Sequence, residues 1–139
     1  GFSRADLEAA STQAPEQLRA IAVDKTVPFS LRRRAAKALG LFPSEENFAF
    51  LAERLPFAPA GLDIQYVLHL KNYAEQHPDA VSALLTPALR SGSTSLQNAA
   101  ILAARRLPDG GRSVLSPRSR EISDPGVRRA LDAALRDAP

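Results

Sequence analysis

The sequence predicts an all-α fold, and three observations carry that prediction. The chain holds 25 Ala and 19 Leu in 139 residues, with no Trp, Cys or Met and few aromatics; this composition favours helices that approach closely through small side chains. Eleven prolines stand at 15, 28, 43, 56, 59, 78, 87, 108, 117, 125 and 139. They fall mostly between apolar-periodic segments, where a missing N–H is harmless at a first helical turn. Finally, a helical segment with the same apolar spacing recurs four times, starting at Ser30, Gly61, Ser95 and Gly126 with intervals of 31, 34 and 31 residues.

The elements follow in order. A first helix is expected over 3–10, and Pro15 opens a second over 15–24 with Leu18 and Ile21 on its apolar side. Pro28 opens 28–41, whose face carries Leu31, Ala35 and Leu39. Ser44 caps 44–55, with Phe48 and Leu51 inward, and Pro59 opens 59–76, with Leu62, Tyr66 and Leu70. Pro78 opens 78–90 around Val81 and Leu84, and Pro87 should kink or end that helix. Ser93 caps 93–107, which presents Leu96, Ala100 and Ala104. Asp109 precedes a short helix over 111–121, weakened by Pro117 and three Ser, with Val114 and Leu115 inward. Asp124 and Pro125 start the last helix, 125–137, with Val127, Leu131 and Leu135 on one face.

One helical pair cannot bury such a face, whereas stacked neighbours give a continuous core. The chain is therefore read as a single repeat domain over 1–139, with pairs at about 14–42, 44–76, 77–107 and 109–138 plus the N-terminal helix. The runs Leu31-Arg32-Arg33-Arg34-Ala35-Ala36-Lys37-Ala38-Leu39-Gly40 and Ser123-Asp124-Pro125-Gly126-Val127-Arg128-Arg129-Ala130-Leu131 resemble bacterial HEAT repeats, especially the short type of phycobilisome lyases. In that pattern an acidic turn residue precedes an aliphatic residue, then Arg, then small residues. The second pair departs from it with Asp63 in place of the Arg, and the third with Gln97. The resemblance implies a right-handed α-α superhelix, a solenoid of about four helix pairs, used for macromolecular binding without a shared catalytic activity. Iron-dependent hydroxylases of that family need His-Glu pairs that this chain does not supply.

The residues themselves argue against catalysis. Without cysteine there is no disulfide, thiolate ligand or thiol nucleophile, and the redox compartment stays open. His69 and His77 stand eight apart with no ligand-spaced partners, His69 reading as a helix residue and His77 as a helix boundary, so neither metal nor cofactor is expected. Gly110-Gly111 lies outside any phosphate-binding frame, and Glu45 and Glu46 suit the positive end of a helix dipole. No apolar run reaches the roughly 18 to 20 residues of a membrane span. Gly1 in place of an initiating Met is expected to mark a processed chain or an excised domain.

What remains is surface. The net charge is +3, its excess C-terminal. The outward positions of the recurring helices carry Arg33, Ile64, Asn98 and Arg129, then Lys37, Leu68 and Leu102, then Lys71, Arg105 and Arg136. Of these, Arg33, Lys37, Ile64, Leu68, Asn98, Leu102, Arg105 and Arg129 are the candidate partner-binding residues, an apolar middle rimmed by cations on a concave face. A protein partner fits this mixture. A basic nucleic-acid cradle is the second reading, opposed by the small charge and the apolar middle, and further repeats of a longer parent chain are a third. Lys71, Arg105, Arg106 and Arg136 also sit in last helical turns, where cations complement the dipole. Arg32 and Arg128 are expected to tie adjacent repeats to turn acids such as Asp24 and Asp124. Helix 59–76 is apolar on more than one face, to be covered by neighbouring repeats or, with Phe57 contributing, by a partner.

Overall fold

Local chemistry sets the helix starts. In the computed structural model, which describes the chain from Arg4 and its side chains from Ala14, the hydroxyl of Ser44 accepts the N–H of Asn47 at 3.0 Å, and that of Ser93 accepts the N–H of Leu96 at 3.2 Å. The carboxylate of Asp124 accepts the N–H of Val127 at 3.0 Å, and that of Asp109 accepts the N–H groups of Gly111 and Ser113, both at 2.9 Å. Each side chain meets an N–H that a helix start leaves without an intrahelical partner. Pro78 and Pro125 occupy first-turn positions, and Pro28 immediately precedes its helix.

Among the described residues the fold is all-helical, without a strand. The α-helices are α1 (Arg4–Val23), α2 (Phe29–Ala38), α3 (Glu45–Arg54), α4 (Leu62–His69), α5 (Pro78–Arg90), α6 (Thr94–Ala104), α7 (Arg112–Leu115) and α8 (Pro125–Asp137). Tight 3-10 turns prolong α2 (Leu39–Leu41), α3 (Leu55–Phe57), α4 (Leu70–Tyr73) and α7 (Ser116–Arg118). The chain divides into two compact units, the first ending at Gln65 and the second running Tyr66–Pro139.

Several boundaries differ from expectation. The helices expected over 3–10 and 15–24 are one, α1, with Pro15 inside it; Ser3 lies outside the described residues. An interior proline costs about 3 kcal/mol, here offset by Ala-rich sequence on both sides and by burial of the ring. α4 starts at Leu62 rather than Pro59 because Gly61, at φ +98°, is in the left-handed region and cannot belong to a right-handed helix. Pro87 does not end α5, which runs three residues further to Arg90. The 111–121 segment reduces to α7 and its 3-10 turn, interrupted at Pro117, which donates no N–H.

In the first unit α1 lies against α2 and its 39–41 turn, burying Ala22, Ala35, Ala36 and Leu39, while α3 buries Phe48 and Leu51. A polar tie joins α1 to α3: the Arg19 guanidinium donates to Oδ1 of the buried Asn47 and lies 3.6 Å from Glu46. Asn47 in turn donates to the carbonyl of Phe42 at 2.6 Å. Leu31 and Ile21, expected in the core, are exposed instead, at 45% and 36%. The buried face of α1 runs through Pro15 and Ala22 rather than Ile21, and the first turn of α2 has no earlier helix pair among the described residues to cover Leu31.

The second unit shows the repeat-like arrangement by itself. α5 lies against α6 and α7 against α8; α5 also touches α7, and α6 touches α8. First helix thus meets first helix and second meets second, pair upon pair, with the 70–73 turn against both α5 and α6. Tyr66, Leu70, Val81, Leu85, Ala100, Leu115, Val127 and Leu131 are buried there. Gly111 opens α7 at φ +90°, and a Cβ on it would meet the carbonyl oxygen of Ala104 at 2.8 Å, so α7 approaches the end of α6 more closely than a side chain would permit.

Candidate functional site

The residue after the first aliphatic of each recurring helix does one structural task in three of four repeats. The Arg32 Nε–H donates to the carbonyl of Ala22 at 3.0 Å, at the C-terminal end of α1. The Gln97 amide donates to the carbonyls of Leu89 and Ser91, at 3.2 and 2.8 Å, at the end of α5. The Arg128 guanidinium donates to the carbonyls of Ser119 and Ile122. Arg32 and Gln97 satisfy carbonyls that a helix end leaves open, and Arg128 binds carbonyls of the turn and loop that lead into α8. The expectation that Arg32 and Arg128 bind turn acids holds only in part: backbone oxygens are the hydrogen-bond acceptors of both, while Arg32 also acts on Asp24 through its charge. Asp63, in the same position of the second pair, instead accepts the N–H groups of Gly61 and Ile64 at 3.1 and 2.7 Å, capping its own helix.

With those arginines assigned to structure, the outward positions can be placed unit by unit. In the first unit Arg33 and Lys37 are exposed on α2, while Ile64 is half-buried on α4. In the second, Asn98 and Leu102 are exposed on α6, with Leu102 at 58%, Arg129 is exposed on α8, and Leu68 is half-buried. α6 shows the division best: Ala99, Ala100, Ile101, Ala103 and Ala104 are all buried, so Leu102 is the large apolar side chain on its open face. Arg105 is exposed but not free. Its guanidinium donates to Asp137 at 2.5 Å, bracing the end of α6 against the end of α8.

The sequence reading left out several exposed residues of the first unit: Phe29, Arg34 and Leu41, beside the displaced Leu31. The triple Arg run was the available signal for Arg34. The Phe29 ring is held by its surroundings, since the Arg32 guanidinium lies 6.0 Å from its centroid and a Cβ on Gly61 would approach its edge to 3.2 Å. Phe57, in the 55–57 turn, is 83% exposed. On helix 59–76 as expected, Leu62, Tyr66, Val67 and Leu70 are buried, leaving Ile64 and Leu68 partly open.

The titratable groups serve helix ends. Hydrogen bonds from Thr26, first its hydroxyl and then its N–H, hold the Asp24 carboxyl below the ordinary carboxylate range, with Arg32 adding to the effect. Hydrogen bonds from Ser113 do the same for Asp109. His69 is buried and His77 half-buried. Among the described residues no group of three or more His, Cys, Asp or Glu is placed to hold a metal ion, and no helix is long and apolar enough to cross a membrane. An open hollow of about 590 Å³ in the second unit is lined in part by Glu75, Arg105, Arg106 and Asp137, but the Arg105–Asp137 pair lies in its wall and neutralises itself there.

Comparison with protein-family models, with curated proteins and with solved structures returned no match.

Proposed function

We infer that this chain is a non-catalytic, protein-binding scaffold of HEAT-like helical repeats, and that the outward sides of its second helices carry the binding residues. The observation that supports this reading most directly is Leu102, a large apolar side chain left open in the last turn of α6, with Asn98 one turn before it and Arg106 just past the helix end. An exposed Leu by itself is ordinary. On a helix whose other large apolar side chains are buried or half-buried, it lies where a repeat scaffold would present an anchor, with polar rim residues around it. The stacking of pair upon pair in the second unit supports the solenoid part of the reading. In the same reading Arg129 is an outward cation of the second unit, Arg33 and Lys37 are outward cations of the first, and Arg105 serves the fold first.

Affinity capture from the source organism with the full chain, alongside a Leu102→Asp variant, tests the reading. A protein partner retained by the parent chain and lost by the variant, with an unchanged thermal melt, is the expected result. Salt-titrated binding to duplex and single-stranded nucleic acid provides the counter-test, because phosphate contacts weaken steeply as salt rises. Micromolar nucleic-acid binding of that kind, without a Leu102-dependent protein partner, overturns the protein-binding reading.

A further inference from the structure

Residues 138 and 139, beyond α8, make a contact in the second unit that the Leu102 surface does not use. Pro139 biases the residue before it away from helical geometry, so α8 ends at Asp137 and Ala138 stands at φ −67° and ψ 141°. Those angles are polyproline II, an extended conformation without internal hydrogen bonds. The main-chain oxygens of such a segment need partners from elsewhere.

Arg112, at the start of α7, supplies them. One terminal nitrogen of its guanidinium donates to the main-chain oxygens of Ala138 and of Pro139, both at 3.0 Å. The same segment lies on Gly110, which is at φ +67° and where a Cβ would come within 2.9 Å of Ala138 and of the Pro139 ring. Only glycine suits both that conformation and that approach. A donor for two successive backbone oxygens thus stands beside a notch filled by a small residue and a proline. Gly110, Ala138 and Pro139 also line the hollow of about 590 Å³, together with Leu107, Pro108 and Ala134. The charged residues on its lining, Glu75 and Asp137 against Arg105 and Arg106, balance one another, which suits an uncharged ligand.

We propose that the corner formed by Gly110 and Arg112, with the hollow beside it, is a docking groove for an extended segment of a partner protein in which a small residue precedes proline, and that Ala138 and Pro139 are its internal occupant. The chain's own segment, seated there in polyproline II, is the guide to what the groove accepts. The tie is built to open: Arg112 and Pro139 are exposed, and solvent-exposed backbone hydrogen bonds with little buried contact belong to the low-stability end of a fold. A partner segment already in polyproline II loses little conformational freedom on docking. The groove adds a second surface to the binding-scaffold reading and does not depend on Leu102.

The test uses the whole chain and an amidated, fluorescently labelled peptide of alternating Ala and Pro. In an Ala138→Gly, Pro139→Gly variant the internal segment loses its preset conformation while Gly110 and Arg112 stay in place. A groove filled by its own segment binds a competitor more weakly in proportion to the fraction closed, so this variant should bind the peptide about tenfold more tightly than the parent chain, with an unchanged melt. Adding Arg112→Ala should weaken that binding about tenfold, and a peptide of alternating Leu and Pro, too bulky for the Gly110 notch, should bind about tenfold more weakly than the Ala peptide. The amide resonances of Gly110 and Gly111 should shift as the Ala peptide is titrated in. Absence of saturable binding, equal binding by the parent chain and the Gly variant, insensitivity to Arg112→Ala, equal binding of the Leu peptide, or binding without a shift at Gly110 overturns the proposal. So does binding confined to the free-acid form of the peptide, which would make the site a carboxylate clamp. Because these variants leave Leu102 untouched, failure here removes the groove and leaves the scaffold reading to its own capture experiment.

Discussion

The first and last helix pairs begin their second helices alike: Leu31-Arg32-Arg33 in α2 and Val127-Arg128-Arg129 in α8. The two aliphatic residues occupy the same register, yet Leu31 is 45% exposed and Val127 is fully buried. The difference lies in what stands alongside. α8 packs on α6, the second helix of the pair before it, whereas α2 meets α1 and the end of its own helix. In a repeat fold the sequence register of a side chain fixes which way it points, and only the neighbouring pair decides whether it is buried.

The largest expected effect comes from testing that difference directly. Val127→Asp places an unpaired charge in a closed site, at a cost of several kcal/mol against a total stability of about 5 to 15, and should abolish the cooperative melt. Leu39→Asp, at a position 2% exposed, should behave in the same way. Leu31→Asp should change stability by no more than about 1 kcal/mol, as surface substitutions do. Thermal melts of the three variants decide the matter; a loss of the melt in Leu31→Asp would show that something covers α2 in solution.

Which parts of this were legible in the sequence follows from the range of the forces involved. Helix starts were readable at Ser44, Ser93, Asp109 and Asp124 because a cap is a bond to an N–H two to four residues away. The inward register was readable at Ala35, Tyr66, Ala100 and Leu131, all of which are buried. The continuity of α1 through Pro15 was not, because the burial that offsets an interior proline depends on distant chain. The acceptors of Arg32 and Arg128 were hidden for another reason: a backbone carbonyl has no signature in the residue letters. As for the candidate surface, helical periodicity placed Arg33, Lys37, Asn98, Leu102 and Arg129 outward, whereas the pairing of Arg105 with Asp137 spans 32 residues and arises only when α6 and α8 meet.

The turn-closing side chains refine the comparison at a smaller scale. Arg128 reaches two carbonyls, one of them belonging to the buried Ile122, whereas Arg32 reaches one. Hydrogen bonds from charged donors contribute about 1.5 to 3 kcal/mol, so Arg32→Ala, which loses one, should cost near the lower end of that range and Arg128→Ala, which loses two, near the upper end. Gln97 performs the same task without charge, so Arg128→Gln should recover a good part of the loss. Urea denaturation midpoints measure all three, and an Arg128→Gln variant no better than Arg128→Ala would refute the equivalence. The cap of α8 comes next. Asp124→Ala removes the acceptor for the Val127 N–H and should cost about 1 kcal/mol, while α2, preceded by Pro28 without a side-chain cap bond, has no counterpart to lose.

The smallest effect is one that the two pairs should share. Asp24 in the first pair and Asp109 in the last are both held below the ordinary carboxylate range by hydrogen bonds donated to the ionised form, from Thr26 and Ser113 respectively. Below about 3.9, the unfolded value, the unfolded chain therefore binds protons more readily at these sites than the folded chain. Their contribution to stability is present above that pH and is lost as pH falls through the lowered folded values. Because both carboxylates face solvent, the effect is small, and a site-resolved measurement suits it better than a global melt. Carboxyl carbon resonances followed by NMR through the acid range should show both groups titrating below the ordinary Asp midpoint. Thr26→Val removes the hydroxyl that contributes most at Asp24 and should move that midpoint up towards the ordinary value while leaving Asp109 where it was. If Asp24 does not respond, its carboxylate is held by something other than the Thr26 hydroxyl, and the local turn does not set its acidity.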